Sequence, residues 1–311
     1  MSAMTGDHSA DEARLLLLHH VDRSLTGPLE DRAVLGAVVG VERLVVATRS
    51  TEATVLRLAL EGRLTARDAP TADLERVAEL VAEAENHVVA GLVRRGEGLP
   101  ADAAVVNADA GGYEITTDAT LLRAAVRAAQ RSIDAMPYYG ARYGARGSRF
   151  ATTDSAWLVS LAWLDEAGAV RQVQWLARVL AARGMPSWLL EIHLDELVGE
   201  VRSVADPGTV GALPAAAAAL ASARRRHVDD ELLEAADAWA LEAVEAVEGA
   251  VDALPVPRAG ALMAAAVADA RSGVTRDDTA LLDWLTDGER VPDPVATALL
   301  EVHRRIIDEA R

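Results

Sequence analysis

Apolar residues recur along this chain at the three- and four-residue spacing of an α-helix. One stripe runs through Leu74, Val77, Leu80, Val81 and Ala84, and a second through Leu121, Leu122, Ala125, Val126, Ala129 and Ile133. A third runs Leu190, Leu194, Leu197 and Val201. Each places its side chains on one helix face, which must be buried against another helix. The segment Leu44-Val45-Val46-Ala47-Thr48 is the one run that could pass for a buried strand, and its surroundings favour helix there too. Hydrophobic residues make up 51% of the chain, mostly Ala, Leu and Val with a single Phe, so it is not mainly disordered and suits closely packed helices. The expected fold is all-α, a bundle of about ten to twelve amphipathic helices divisible into two helical subdomains.

The punctuation sets the expected boundaries. Residues 1–10 are polar and read as a disordered tail, 11–205 as a helical domain, and 208–311 as a C-terminal subdomain beyond the break at Asp206-Pro207-Gly208. Pro28 marks the start of the second helix, and Thr71 or Asp73 is expected to cap a long helix reaching about Arg95. Residues 96–116 form a connection longer than the ~12–15 residues usual for structureless loops, which suggests a functional loop, a lid or a boundary. Gly184 and Pro186 stand where a helix-ending glycine and a first-turn proline belong.

Charge and composition exclude whole classes of function. The net charge of −17 opposes a nucleic-acid partner. No cysteine is present, so disulfides, thiolate metal sites and cysteine nucleophiles are excluded. Lysine is also absent, which removes the P-loop, Schiff-base chemistry and the kinase-type lysine. No stretch approaches the ~20 apolar residues of a membrane span, and no signal-length segment opens the chain, so the cytoplasm is the expected location.

One region concentrates recognition chemistry. Eight of the eleven aromatic residues fall within 134–188, together with Arg142, Arg146 and Arg149. Arginine beside tyrosine can clamp a carboxylate or phosphate, or stack on the ring. Tyr139, Arg142, Tyr143, Arg146 and Arg149 are therefore the expected ligand contacts, with Trp157 as a packing wall. If that stretch is helical, Tyr139 and Tyr143 share a face, as do Arg142 and Arg146. If it is a loop, its glycines let the backbone approach a ligand. Trp157, Trp163, Trp175 and Trp188 are expected in the core, filling gaps between alanine-rich faces.

His193 and His303 sit among apolar neighbours at helical spacing and are the alternative axial ligands of a haem. The Glu-x-His pairs at 85/87, 191/193 and 301/303 do not face one another on a helix, so no dedicated metal site is expected. Asp229-Asp230-Glu231 and Glu234 resemble the acidic magnesium motif of terpene cyclases, although helix capping accounts for acids at a helix start. The function expected from sequence is non-catalytic: a helical binding or regulatory protein with no cofactor. It would sense a small anionic ligand through the Tyr/Arg cluster and contact a protein partner or a second copy of itself. A globin-like tetrapyrrole-binding sensor or haem enzyme is the first alternative, and a magnesium-dependent helical lyase or cyclase the second.

Overall fold

The computed structural model describes residues 5–23, 32–62, 71–248, 253–276 and 278–310, with the side chains of 5–7, 32 and 71–73 left aside. The described residues form fourteen α-helices and no strand. In chain order these are α1 (Thr5–Asp22), α2 (Arg32–Thr48), α3 (Ala53–Leu60), α4 (Thr71–Gly96), α5 (Ala103–Val106), α6 (Ala119–Ala135) and α7 (Tyr138–Ser160). They continue as α8 (Glu166–Ala181), α9 (Ser187–Val204), α10 (Leu213–Arg225), α11 (Asp230–Glu245), α12 (Ala259–Arg271), α13 (Thr279–Leu285) and α14 (Asp293–Glu309). Two 3-10 turns, Leu161–Trp163 and Pro207–Val210, complete the set. The all-α expectation holds. The number of helices slightly exceeds the expected range; α5, only four residues long, lies in the stretch read as a connection and is too short to show a periodic stripe. Among the described residues no helix is long and apolar enough to cross a membrane.

The Leu44–Thr48 run lies in α2, and α1 begins inside the segment read as a tail. The expected helix start at Pro28 lies outside the described residues, as do the capping side chains of Thr71 and Asp73.

The chain divides into two compact units, each drawing on separated segments. Unit 1 comprises 1–130, 146–160 and 199–209; unit 2 comprises 131–145, 161–198 and 210–311. The Asp206-Pro207-Gly208 break lies in the last segment of unit 1.

Unit 1 is organised by the crossing of α2 on α4, and its core contains Leu17, Ala37, Val41, Leu44, Leu56, Ala84, Val88 and Leu92. The approach is close because α2 presents Gly36 and Gly40 to its partner. A Cβ at Gly40 would stand 2.5 Å from the Ala84 Cβ, and one at Gly36 would stand 3.2 Å from the His87 carbonyl oxygen. Helices packed this tightly gain dispersion contacts that a larger residue would prevent. The long 96–116 connection is neither open nor unstructured. Its α5 is capped by Asp102, whose Oδ1 accepts from the Ala104 N–H at 3.0 Å, and it buries Ala103, Val105 and Val106.

Unit 2 is built around α12, whose residues from Ala259 to Asp269 are all buried. A helix apolar on every side belongs at the centre of its layer. α11 and α14 pack against it, and Tyr138, Met185 and Trp188 join the same core.

Two of the four tryptophans expected in the core are not there. Trp163 is 67% exposed and Trp175 52%, whereas Trp188 is buried and Trp157 half-buried. Helix α8 turns Val173, Leu176 and Ala177 inward, and at 3.6 residues per turn this leaves Trp175 on the opposite face.

Candidate functional site

The Tyr/Arg stretch opens α7, but the helix is not continuous. Gly144 sits at φ 53°, ψ −149°, a conformation essentially reserved for glycine, and it separates two helical pieces. The shared face expected for Arg142 and Arg146 therefore does not form. Tyr139, Arg142 and Tyr143 belong to unit 2, whereas Arg146, Arg149 and Trp157 belong to unit 1.

In unit 2, Arg142 is held within the fold. Its Nη1 donates to the Tyr138 hydroxyl at 2.6 Å and its Nη2 to the Ala280 carbonyl at 2.8 Å. Tyr138 in turn donates to the Gly184 carbonyl, and Tyr143 donates to the Arg183 carbonyl at 2.7 Å. The guanidinium stands 5.8 Å from the Tyr138 ring, 5.4 Å from Tyr143 and 5.8 Å from Trp284, so aromatic faces surround the charge. Tyr139 packs obliquely on Tyr143 at 5.6 Å. Burial pushes the Tyr138 phenol well above its ordinary value. Gly184 has the helix-ending conformation expected of it (φ 79°), and a Cβ there would also meet the Arg142 Nη1 at 2.5 Å. These contacts tie the start of α7 to the α8–α9 turn and to α13.

The two arginines of the predicted set in unit 1 are paired with acids. Arg146, exposed at the surface, donates to Asp109 at 3.2 Å and lies over Phe150. Arg149 donates to Glu83 at 2.9 Å, and Arg43 donates to the other oxygen of the same carboxylate at 2.9 Å. Trp157 meets Tyr113 edge-on at 6.5 Å.

A different group of unit 1 residues has unmet hydrogen-bonding capacity. Helix α6 carries Arg123 and Arg127 one turn apart. Arg127 bridges two buried carboxylates: its Nε donates to Glu200 at 2.7 Å and its Nη1 to Glu42 at 3.1 Å. Glu42 is 2% exposed, and burial raises its pKa against the opposing pull of Arg127 and Arg123. Arg123 makes no such pairing. Its Nε and Nη2 are both buried without a hydrogen-bond partner among the described residues.

His20, on α1 and only 8% exposed, is also unpartnered at both ring nitrogens among the described residues. It lies within electrostatic reach of Arg123. Burial, then the neighbouring His19, Arg123 and Arg23, lowers the His20 pKa to about 4, so the ring is neutral near pH 7. Buried polar groups left unmatched are rare in folded proteins and need a reason.

Sequence reasoning missed this cluster, although part of its signal was visible. Glu42 and Arg43 interrupt the apolar run from Val38 to Leu44, and Arg123 and Arg127 flank the apolar stripe of α6. Charges set beside an apolar helix face mark buried ion pairs or sites.

The remaining sequence candidates have structural employment. His303 Nε2 is 2.5 Å from an Asp278 carboxylate oxygen, so it is already engaged. His193 Nδ1 is 2.8 Å from the Ser132 hydroxyl, and burial lowers its pKa to about 4. Asp229 caps α11 by accepting from the Leu232 N–H at 2.9 Å. Asp230 accepts from Arg224 at 2.7 Å and from Arg225 at 3.1 Å. Among the described residues no three His, Asp or Glu side chains converge as a metal ion would require. Comparison of the chain with protein-family models, with curated proteins and with solved structures gives no match.

Proposed function

We propose that this chain is a non-catalytic helical binding protein whose unit 1 takes up a small anion on Arg123, which lies within electrostatic reach of His20. The observation supporting this reading is the buried Nε/Nη2 edge of Arg123, which has no partner among the described residues. That edge presents two parallel N–H donors in the geometry that matches a carboxylate or phosphate. The reading keeps the anion sensing expected from the sequence and moves it from the Tyr/Arg stretch to α1 and α6. The lowered pKa of His20 favours binding over general-base chemistry at this place, since an imidazole with a pKa of about 4 is a weak base near neutral pH.

Thermal unfolding of the full chain in rising acetate, at constant ionic strength set with chloride, tests the reading. A ligand that binds only the folded state stabilises it by about 2.7 kcal/mol at a hundred times its Kd. The unfolding temperature should therefore rise with acetate in the wild type and stay flat in Arg123→Gln. Equal responses of the two proteins would refute the proposal.

A further inference from the structure

A groove of about 760 Å³ is bounded by α11 and by residues of the 253–258 segment that leads into α12. That volume lies in the range of small-molecule sites, roughly 300–1,000 Å³. All of its lining belongs to unit 2, so it is separate from Arg123 and does not depend on the anion-binding reading. Glu234, Asp237, Leu241 and Glu245 follow one another at three- and four-residue spacing and so line the groove from one face of α11. Leu241 is 48% exposed, and Leu254 joins it in the lining.

The charges of this lining do not balance. Three carboxylates, Glu234, Asp237 and Glu245, stand against one guanidinium, that of Arg258. Arg258 lies over the Trp188 ring at 4.9 Å, and its Nε is 3.9 Å from an Asp237 oxygen. Glu234 and Glu245 are exposed and have no ion-pair or hydrogen-bond partner among the described residues. Glu245 also ends α11, whose last turn holds no basic residue, and a carboxylate at that end opposes the helix dipole. Two uncompensated negative charges therefore stand ~16 Å apart along the helix, with the apolar Leu241 between them.

From this arrangement we infer that the groove takes a linear organic dication, two ammonium groups joined by an apolar chain. One ammonium pairs with Glu234, the other with Glu245, and the methylenes lie against Leu241 and Leu254. Lysine stems cover apolar surface in the same way while their charged heads stay in polar surroundings. Two positive charges match the two that the lining lacks, and the protein's net charge of −17 draws cations toward it. A monocation leaves one carboxylate unmatched, and a short diamine reaches only one end.

Calorimetric titration of the full chain at low ionic strength with decamethylenediamine, aminodecanol and putrescine separates these features. The first has both ammonium ends and the long spacer, the second lacks one ammonium, and the third lacks the length. Decamethylenediamine should bind about fivefold or more tightly than either, the effect of one partly exposed ion pair. Glu234→Gln and Glu245→Gln should each erase its advantage over aminodecanol. Leu241→Asn should weaken both long ligands and leave putrescine unchanged. All three positions are exposed, so these variants should keep the fold, which far-UV circular dichroism verifies.

Equal affinity for decamethylenediamine and either control in the wild type would overturn the inference. So would undiminished binding in the Glu234→Gln/Glu245→Gln double variant, or no binding of decamethylenediamine at all. Each of these results leaves the anion-binding reading of unit 1 untouched.

Discussion

Two arginines of this protein should respond in opposite directions to the same substitution. Arg224 in unit 2 is buried and fully engaged: Nε and Nη2 donate to the two oxygens of Glu191 at 3.0 Å each, Nη2 to Asp230 at 2.7 Å, and Nη1 to the Val228 carbonyl at 3.0 Å. Arg224→Met strands Glu191, which is 7% exposed, and an uncompensated buried charge costs about 3–5 kcal/mol.

Arg123→Met removes two donors that have no partner among the described residues. Each such donor costs about 1–3 kcal/mol, so relief of roughly 2–6 kcal/mol is available. Loss of the non-bonded attraction to Glu42 takes back about 1–2 kcal/mol at a surface-like effective dielectric. The net expectation is a gain of up to about 5 kcal/mol for Arg123→Met against a loss of about 3–5 kcal/mol for Arg224→Met.

Urea unfolding followed by circular dichroism in a carboxylate-free buffer, with linear extrapolation, measures both. A loss of about 1 kcal/mol or more in Arg123→Met would mean that its donors are satisfied in solution, and the argument for a site there would fail. A stabilised variant that no longer binds anions would show the arginine kept at the expense of stability, as functional residues often are.

Gly40→Ala should destabilise unit 1 by about 1–3 kcal/mol, because the new methyl falls 2.5 Å from the Ala84 Cβ on a rigid helix. The same urea experiment checks it, and a neutral substitution would show that the α2–α4 crossing is looser than described. Asp269 in unit 2 accepts from the Ser187 N–H at 2.6 Å and from its hydroxyl, and burial raises its pKa to about 6 from 3.8. The folded state thus holds this proton more tightly than the unfolded state. Its contribution is fully present below about pH 4 and lost as the pH rises through 6. The unfolding free energy of the wild type minus that of Asp269→Asn should therefore fall by roughly 2–3 kcal/mol between those limits. A difference that does not change with pH would refute the assignment.

The helices were largely legible because burial on one face writes a periodic stripe, as in α4, α6 and α9. The break in α7 was not. Gly140, Gly144 and Gly147 look alike in sequence, and only the backbone reveals that Gly144 alone adopts a positive φ there. That one conformation uncouples Arg142 from Arg146, so a cluster suggested by proximity in sequence became two local arrangements. Trp175 was misplaced for a related reason: its size argued for burial, whereas the phase of its helix set its direction. His20 on α1 lies within electrostatic reach of Arg123 on α6, and the ion pairs on Arg127 join residues 42, 127 and 200. Sequence marks each of those residues as an oddity on its own helix but not as the neighbour of the others.

The placement of the tryptophans decides what light can report. Five of the six, Trp163, Trp175, Trp188, Trp239 and Trp284, lie in unit 2, and only Trp157 lies in unit 1. Intrinsic emission will therefore follow unit 2, with the exposed Trp163 and Trp175 contributing a red-shifted component open to aqueous quenchers. Replacing those five by phenylalanine or tyrosine would leave Trp157, edge-on to Tyr113, as a single optical probe in the unit that holds Arg123.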